Sequence, residues 1–471
     1  MSRPTPVLLT DEQMRTFITE GFLILQTDFP ESFHLALTDQ LKHVYEHEGN
    51  PGNNLLPRIR ELQKVFDHPV VTGALTSVLG PNYMLHAHRH GHYNASPVAG
   101  GWHKDSYWGY KRMRNHHPWW AMIMYFPQDT PVELGPTGIM PGTQNYESRT
   151  FEADNPEGEA VASGKAGTFA LIHYDIWHRS TPNLLGRHRY MLKFEFMRTE
   201  APQAPSWDCQ ETEWKRPASF STPIVEHEAM WKETWNWLSG RLGSLTGAIV
   251  SGGAEAFQAT EAKLEDSYEP NALNAAYELA GMGHEGIKAL IRGLLHEHVK
   301  VSRTAAYGLA VAGAEAVAPL EQALGSERDE IIVHAAYALG ELRHLAAQAV
   351  PSLIKLLDHS SPPVRQTVTE TLGMIGTPTD RVVSALIRCL QDEDVQVRFM
   401  AGLALCRVGS AGEAAVPQLE KALDDDNRYV RAHAAEALHY IDTDAAKDVL
   451  IRFLLNSRWC PTTTAQSTFY P

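Results

Sequence analysis

The feature that most constrains this chain is a phrase of helical sequence that returns at a nearly fixed interval in its C-terminal half. AAYELAGMG, AAYGLAVAG, AAYALGELR, VTETLGMIG, AGLALCRVG and AAEALHYID recur in register, with central leucines at Leu279, Leu309, Leu339, Leu372, Leu405 and Leu438, at intervals of 30, 30, 33, 33 and 33 residues. Val364-Arg365, Val397-Arg398 and Val430-Arg431 form a second set of markers, also 33 residues apart. Between the phrases lie segments such as AVPSLIKLLDHSS and AVPQLEKALDDDN, apolar at i, i+3, i+4 and i+7. Each unit therefore reads as two helices, and neither can bury its apolar stripe alone. Stacked neighbours bury a continuous core, which is why the register is kept; a generic Ala/Leu bundle has no such need.

The Ala-Ala-x-x-Leu-Gly helix and the Asp-x-x-Val-Arg junction resemble HEAT-like repeats of the short, phycobilisome-lyase type, over about 190 residues. The resemblance implies an α-solenoid that offers a surface, for a protein partner or for self-association, and no chemistry of its own.

The first half is built differently. Thr10 is placed to cap a helix, Gly21 follows, and Phe22-Leu23-Ile24-Leu25 reads as a strand. Further strands are expected at 83–93, 119–126, 168–174 and 189–197, separated by Gly/Pro loops, which points to a β-sandwich or barrel. Residues 200–222 read as loop, and a Trp-rich helix over about 224–240 is expected to pack Trp231, Trp235 and Trp237 between the two halves. The expected organisation is a catalytic domain over 1–240, a connecting segment over 241–266, repeats over 267–457 and a tail over 458–471.

Composition narrows the setting. A formal net charge of −15 disfavours nucleic acid and anionic membrane as partners. No apolar run approaches the roughly 20 residues of a membrane span. The N-terminus MSRPTPVLLTDEQ lacks the apolar core of a signal peptide, and Cys209, Cys389, Cys406 and Cys460 lack metal or disulfide spacing, so a cytoplasmic location is expected.

The chemical signal is Gly101-Trp102-His103-Lys104-Asp105, followed 73 residues after Asp105 by His178. Two histidines and a carboxylate on one face of an iron leave positions open for other ligands. Alternation along a strand would put His103 and Asp105 on the same side. A His-x-Asp is weak alone among 23 histidines, and His173-Tyr174-Asp175 is a second copy. His103 and Asp105 follow a Gly/Pro loop and precede the aromatic pair Tyr107-Trp108, with PGTQ at 141–144, a Gly-led strand, His178 and arginines downstream. His173 and Asp175 have no such series and read as wall residues beside His178.

With these elements in place, residues 7–200 resemble the phytanoyl-CoA dioxygenase family, through WHKD, ELGPTGIMPGTQ, GTFALIHYDIWHRSTPN and GRHRY. The resemblance implies a double-stranded β-helix (jelly-roll, cupin-like) with flanking helices. It implies Fe(II) held by His103, Asp105 and His178, with 2-oxoglutarate as co-substrate and O2 as oxidant. Oxidative decarboxylation to succinate and CO2 would be coupled to hydroxylation, or a related oxidation, of a small organic substrate. Its His-x-Ser-x-x-Asn stretch falls on His178 to Asn183, and an arginine eleven residues beyond the histidine falls on Arg189, to pair with the far carboxylate of 2-oxoglutarate. Arg187 shares its parity and is the fallback. Ser180 matches a serine that assists that arginine, and Trp120 either lines the co-substrate pocket or is plain core. The family's Asn-Gly-Pro is Leu134-Gly135-Pro136 here, and its Pro-Gly-Ser-His is Pro141-Gly142-Thr143-Gln144. Asp105 stands where halogenating relatives carry a small residue, which favours hydroxylation.

Other readings of function are a protein or peptide hydroxylase whose repeats bind its substrate, and a degenerate binding protein, against which the intact triad and arginine argue. His86, His88, His90 and His92 lie on one strand face, either as a separate zinc site or as a face that lines the pocket mouth or meets solvent. Lys111, Arg112 and Arg114 belong to a loop that either recognises an anion or is simply solvated. Lys193 and Glu195 share the strand face of Arg189.

Overall fold

A computed structural model describes residues 5–105, 113–154, 156–250 and 252–457. Tyr107, Trp108, Lys111, Arg112, Cys460 and the 458–471 tail lie outside the described residues. The chain divides into two compact units, the first running through Met282 and the second beginning at Gly283.

The first unit is a β-rich jelly roll with eight strands among the described residues: β1 (Phe22–Gln26), β2 (Met84–Asn94), β3 (Trp120–Tyr125), β4 (Thr137–Ile139), β5 (Ala160–Val161), β6 (Thr168–His173), β7 (His178–Ser180) and β8 (Arg189–Met197). A five-stranded antiparallel sheet has the order β1-β6-β3-β8-β2, and a three-stranded one has the order β5-β4-β7. β3, β6 and β8 are buried along their whole length. That burial explains the apolar runs WAMIMY and FALI, since a strand covered on both faces has no solvent side to mark with polar residues. In β8, Phe194 and Phe196 pack on Phe66 with ring centroids 4.5 and 5.9 Å apart, leaving Arg189, Lys193 and Glu195 to the opposite face.

Helix Asp11–Glu20 starts in a capping box, with Thr10 Oγ1 accepting from the Gln13 amide at 3.3 Å and the Gln13 side chain accepting from the Thr10 amide at 2.9 Å. It ends at Gly21, whose φ of 82° puts it in the left-handed region. A Cβ there would lie 2.5 Å from Gln144 Oε1 and 2.8 Å from Ile176 Cδ1, so the position is closed to any side chain.

Helix Glu228–Leu238 carries the tryptophans. Their side chains are buried in the core of the first unit. Trp235 meets Trp207 edge-on at 5.0 Å, and Trp237 stacks on His117 at 4.3 Å and meets Trp119. The segment expected as a connection forms helix Ala254–Ala262. Helix Glu269–Gly281, which carries the first repeat phrase, also belongs to the first unit. Glu269 accepts from the amides of Glu147 (2.7 Å) and Ser148 (2.8 Å), Tyr277 meets His116 Nδ1 at 3.0 Å, and Asn274 meets His227 Nδ1 at 2.6 Å. The repeat pattern and this docking coexist because the Ala/Leu stripe says nothing of what the polar positions bind.

In the second unit, helices Val299–Leu309, Asp329–Glu341, Pro362–Ile375, Val395–Val408 and Arg428–Ile441 carry the repeated phrase, and Leu309, Leu339, Leu372, Leu405 and Leu438 are fully buried. The recurrent arginine clamps the junctions. Arg365 binds Asp392 through two bonds (2.9 and 3.0 Å) and the His359 carbonyl, and Arg398 repeats this with Asp425 and the Asp392 carbonyl. Small residues bring the helices together: a Cβ on Gly373 would lie 2.5 Å from that of Ala404. The stretch Val395–Ala422 has the length and mean hydropathy of a membrane span, but it is interrupted at Gly409 and 61% of the apolar window is buried within the fold.

Docking of Glu269–Gly281 fixes where the chain can be cut. A protein ending at Met282 should be soluble and melt cooperatively. One ending at Gly240 loses the partners of His116, His227 and the 147–148 amides, each worth about 1–3 kcal/mol when buried, and should melt far lower or aggregate. Equal melting temperatures for the two truncates would contradict the assignment of this helix.

Candidate metal centre

His103 and His178 are brought together by the backbone. The His103 amide donates to the His178 carbonyl (3.0 Å) and the His178 amide to the His103 carbonyl (3.1 Å), an isolated antiparallel bridge that sets the imidazoles side by side with centroids 4.4 Å apart. His178 opens β7, and His103 is paired at that single point. Alternation still brings Asp105 to the same side: Oδ2 lies 3.0 Å from His178 Nε2, and Oδ1 lies 3.8 Å from His103 Nε2. One donor atom from each residue falls within 4.8 Å of the others, the one such group among the described residues.

The histidine tautomers suit a cation. Nδ1 of His103 lies 2.9 Å from the Gly101 carbonyl and Nδ1 of His178 lies 3.1 Å from the Ile176 carbonyl. A carbonyl can only accept, so each Nδ1 carries a hydrogen and each neutral ring offers its Nε2 lone pair. Asp105 Oδ2 is buried and accepts no hydrogen bond, although it stands beside such a lone pair. Two electron-rich atoms held this close fit a metal ion. Lys193, whose Nζ is 3.0 Å from Oδ1, gives the buried carboxylate a charged partner. Burial pushes the His103 pKa down, and the neighbouring His178 adds to this. Asp105 and His178 are buried, while the His103 side chain is 52% exposed, so the group opens on the His103 side.

The second His-x-Asp is built for another task. His173 Nδ1 accepts from the Asp175 amide at 3.2 Å, which puts the hydrogen on Nε2, and burial lowers its pKa to about 4. The Asp175 carboxylate is held by Arg114 (3.1 Å) and the Asn115 amide (3.4 Å). Arg114 also forks onto Glu147, which makes it a brace rather than a solvated loop residue. Lys104 donates to the carbonyls of Thr143 (3.3 Å) and Asp175, tying the ligand-bearing loop to the 141–144 turn.

A cavity of about 230 Å³ adjoins the group, lined among others by His92, His103, Met124, Thr137, His178, Arg179, Ser180, Arg189, Met191 and Lys193. Its three cations differ in what they already bind. Arg179 is engaged by Glu159 through two bonds (2.8 and 2.7 Å), and Lys193 by Asp105. Arg189 is buried, its Nε donates to the Gly135 carbonyl at 2.9 Å, and its Nη1 has no hydrogen-bond partner. Burial lowers its pKa to about 10, which leaves it charged at neutral pH. That buried guanidinium, with its Nη1 unfilled, fits a carboxylate. Arg187 is exposed and precedes β8. Gly135, at φ 74°, has no room for a Cβ, which would lie 2.7 Å from the Thr181 carbonyl oxygen; the divergent Leu134-Gly135-Pro136 thus forms the turn that orients Arg189.

Ser180 lines the same cavity, whereas Trp120 does not: it packs edge-on to His86 (5.3 Å) and against Tyr174 (5.7 Å). The histidine row does run along one face. His90 and His92 pair across the sheet with Lys193 and Met191, and, beyond a bulge, His86 and His88 lie 3.4 and 3.8 Å from the buried Glu195. Burial, with Lys193 nearby, lowers the pKa of the His88 imidazole to about 3, so it stays neutral.

With this geometry in hand, the matches to known proteins have a place to fall. Residues 31–190 match the phytanoyl-CoA dioxygenase (PhyH) family model. The matched stretch holds His103, Asp105, His178 and Arg189. Residues 317–405 and 383–465 match the HEAT repeats model. No curated protein matches the chain. Among solved structures, the chain is similar to the non-heme alpha ketoglutarate dependent carbocyclase SnoK from nogalamycin biosynthesis (15% identity, 42% of this chain and 88% of that one, TM-score 0.34). It is also similar to HygX from Streptomyces hygroscopicus with nickel and 2-oxoglutarate bound (12% identity, 40% and 87%, TM-score 0.34), and to a designed armadillo repeat protein in complex with a peptide (21% identity, 40% and 100%, TM-score 0.30).

The two His-x-Asp pairs make a direct test. His103→Ala and Asp105→Ala should each lose stoichiometric Fe(II) binding, measured anaerobically, while keeping the far-UV circular dichroism of the parent. His173→Ala should retain the metal. The reverse pattern would mean that the wrong pair has been assigned.

Proposed function

We propose that the first unit is an Fe(II)- and 2-oxoglutarate-dependent oxygenase that hydroxylates, or otherwise oxidises, a small organic substrate. The observation that carries this reading is the juxtaposition of a two-histidine, one-carboxylate group with a cavity holding a buried arginine whose Nη1 is unfilled. His103, Asp105 and His178 would hold the metal, and Arg189 the far carboxylate of the oxo acid. Bound there, the iron with 2-oxoglutarate and O2 supplies the oxidising power, and the oxo acid leaves as succinate and CO2.

The chain's own work is binding, orientation and exclusion of water. The Gly135 carbonyl fixes the Arg189 fork so that its free edge meets a carboxylate in one orientation. Met124 and Met191 give the cavity an apolar wall, so the charge-assisted pair forms out of bulk water, where it is worth more. The half-exposed His103 leaves one side of the group open to a substrate. In this reading the HEAT repeats provide a surface for a partner or for self-association. The described residues of that unit hold no cluster of metal-ligating groups.

Replacing Arg189 with Leu removes a charge-assisted pair worth about 2–3 kcal/mol in a shielded site, so the KM for 2-oxoglutarate should rise on the order of a hundredfold. Arg187→Leu should leave it within about twofold, as expected of an exposed side chain. Succinate formation against 2-oxoglutarate concentration reads both, and unchanged kinetics in Arg189→Leu would reject the assignment.

A further inference from the structure

We infer that Lys193 is a positioning residue that keeps Asp105 bound to the metal through one oxygen only. The inference rests on the metal reading above and concerns a contact that the reading does not need. Lys193 stands in the middle of β8, paired with His90 on β2 and Met124 on β3, so its backbone is fixed on both sides. Its side chain is buried, 6% exposed, and its Nζ donates to Asp105 Oδ1 at 3.0 Å.

The two oxygens of Asp105 are therefore not equivalent. Oδ1 faces an ammonium. Oδ2 is buried, accepts no hydrogen bond and lies beside His178 Nε2. The carboxylate is further fixed because the Asp105 carbonyl accepts from the Tyr174 hydroxyl at 2.8 Å, and because Lys104 anchors the preceding residue to two other segments. Turning the carboxylate so that both oxygens reach one ion would break a buried, charge-assisted bond.

The consequence is chemical. A carboxylate that binds through both oxygens takes one of the positions that a two-histidine, one-carboxylate site otherwise leaves open. An oxo acid that chelates and an O2 molecule need all of those positions. In this account Lys193 protects the vacancy by occupying Oδ1, so it acts through Asp105 without touching a substrate.

Mn(II) is the probe, because its bound waters relax bulk water protons and can be read without turnover. Mn(II) is titrated into the full-length wild type and into Lys193→Met, and the relaxivity is expressed per bound ion. With Oδ1 released, the aspartate takes a second position, and the inner-sphere contribution should fall by about a third, from three open positions to two. Lys165→Met, at an exposed lysine paired with Asp129, should leave it unchanged. Equal relaxivity for wild type and Lys193→Met overturns the inference. A second arm needs no variant: in crystals of the Mn(II)-loaded wild type, Oδ1 should remain against Nζ and off the metal. Both oxygens on the metal would overturn the inference even if Lys193→Met fails to fold. Wild type that binds no Mn(II) at these three residues is a different result, and it strikes the metal reading itself.

Discussion

The pair of backbone hydrogen bonds between His103 and His178 is the constraint on which the candidate centre depends. It joins a loop after the second strand to the opening of the seventh and sets two imidazoles side by side, centroids 4.4 Å apart, before any ligand arrives. Each ring is then turned by a carbonyl two residues back along its own chain, so the backbone also dictates which nitrogen is exposed. Asp105 enters by alternation from His103, and it is held from the far side by Lys193. The donor set is thus assembled largely by main-chain geometry, which suits a site that must exist before its metal does.

Much of this was legible in the sequence, for identifiable reasons. The strands at 22–26, 84–94, 120–125, 168–173 and 189–197 stand where apolar runs between Gly/Pro loops put them. The family resemblance pointed to His178 and Arg189, and a turn closed by Asn183 leads from one to the other; its side-chain amide donates to the Asn94 and Arg187 carbonyls. What could not be read were partnerships between distant residues. Nothing near Lys193 announces Asp105, and nothing near Arg189 announces the Gly135 carbonyl. Of the two readings of Trp120, pocket wall or plain core, its packing beside His86 and Tyr174 favours the core. His173 and His103 sit in the same three-residue pattern; the tautomer imposed by the Asp175 amide, the pairing of Asp175 with Arg114 and the bridge from His103 to His178 separate them.

The repeats show a similar limit. Their period fixed the helices and the buried leucines, and the markers Arg365 and Arg398 are clamps that bind the following aspartate and the preceding carbonyls. Yet the first copy of the phrase left the array. In helix Glu269–Gly281 the same apolar stripe is kept, while Glu269, Asn274 and Tyr277 bind the oxygenase-like unit. A repeat pattern reports what a helix buries, and its polar residues decide what it joins.

The central claim is that this chain carries a working Fe(II)/2-oxoglutarate centre in its first unit. The most direct measurement is succinate formation by the full-length protein supplied with Fe(II), 2-oxoglutarate and O2, without any prime substrate. The account predicts slow, uncoupled turnover that stops when the iron is chelated and returns when it is restored. Fully folded, iron-loaded protein that forms no succinate above the chelated control would contradict it.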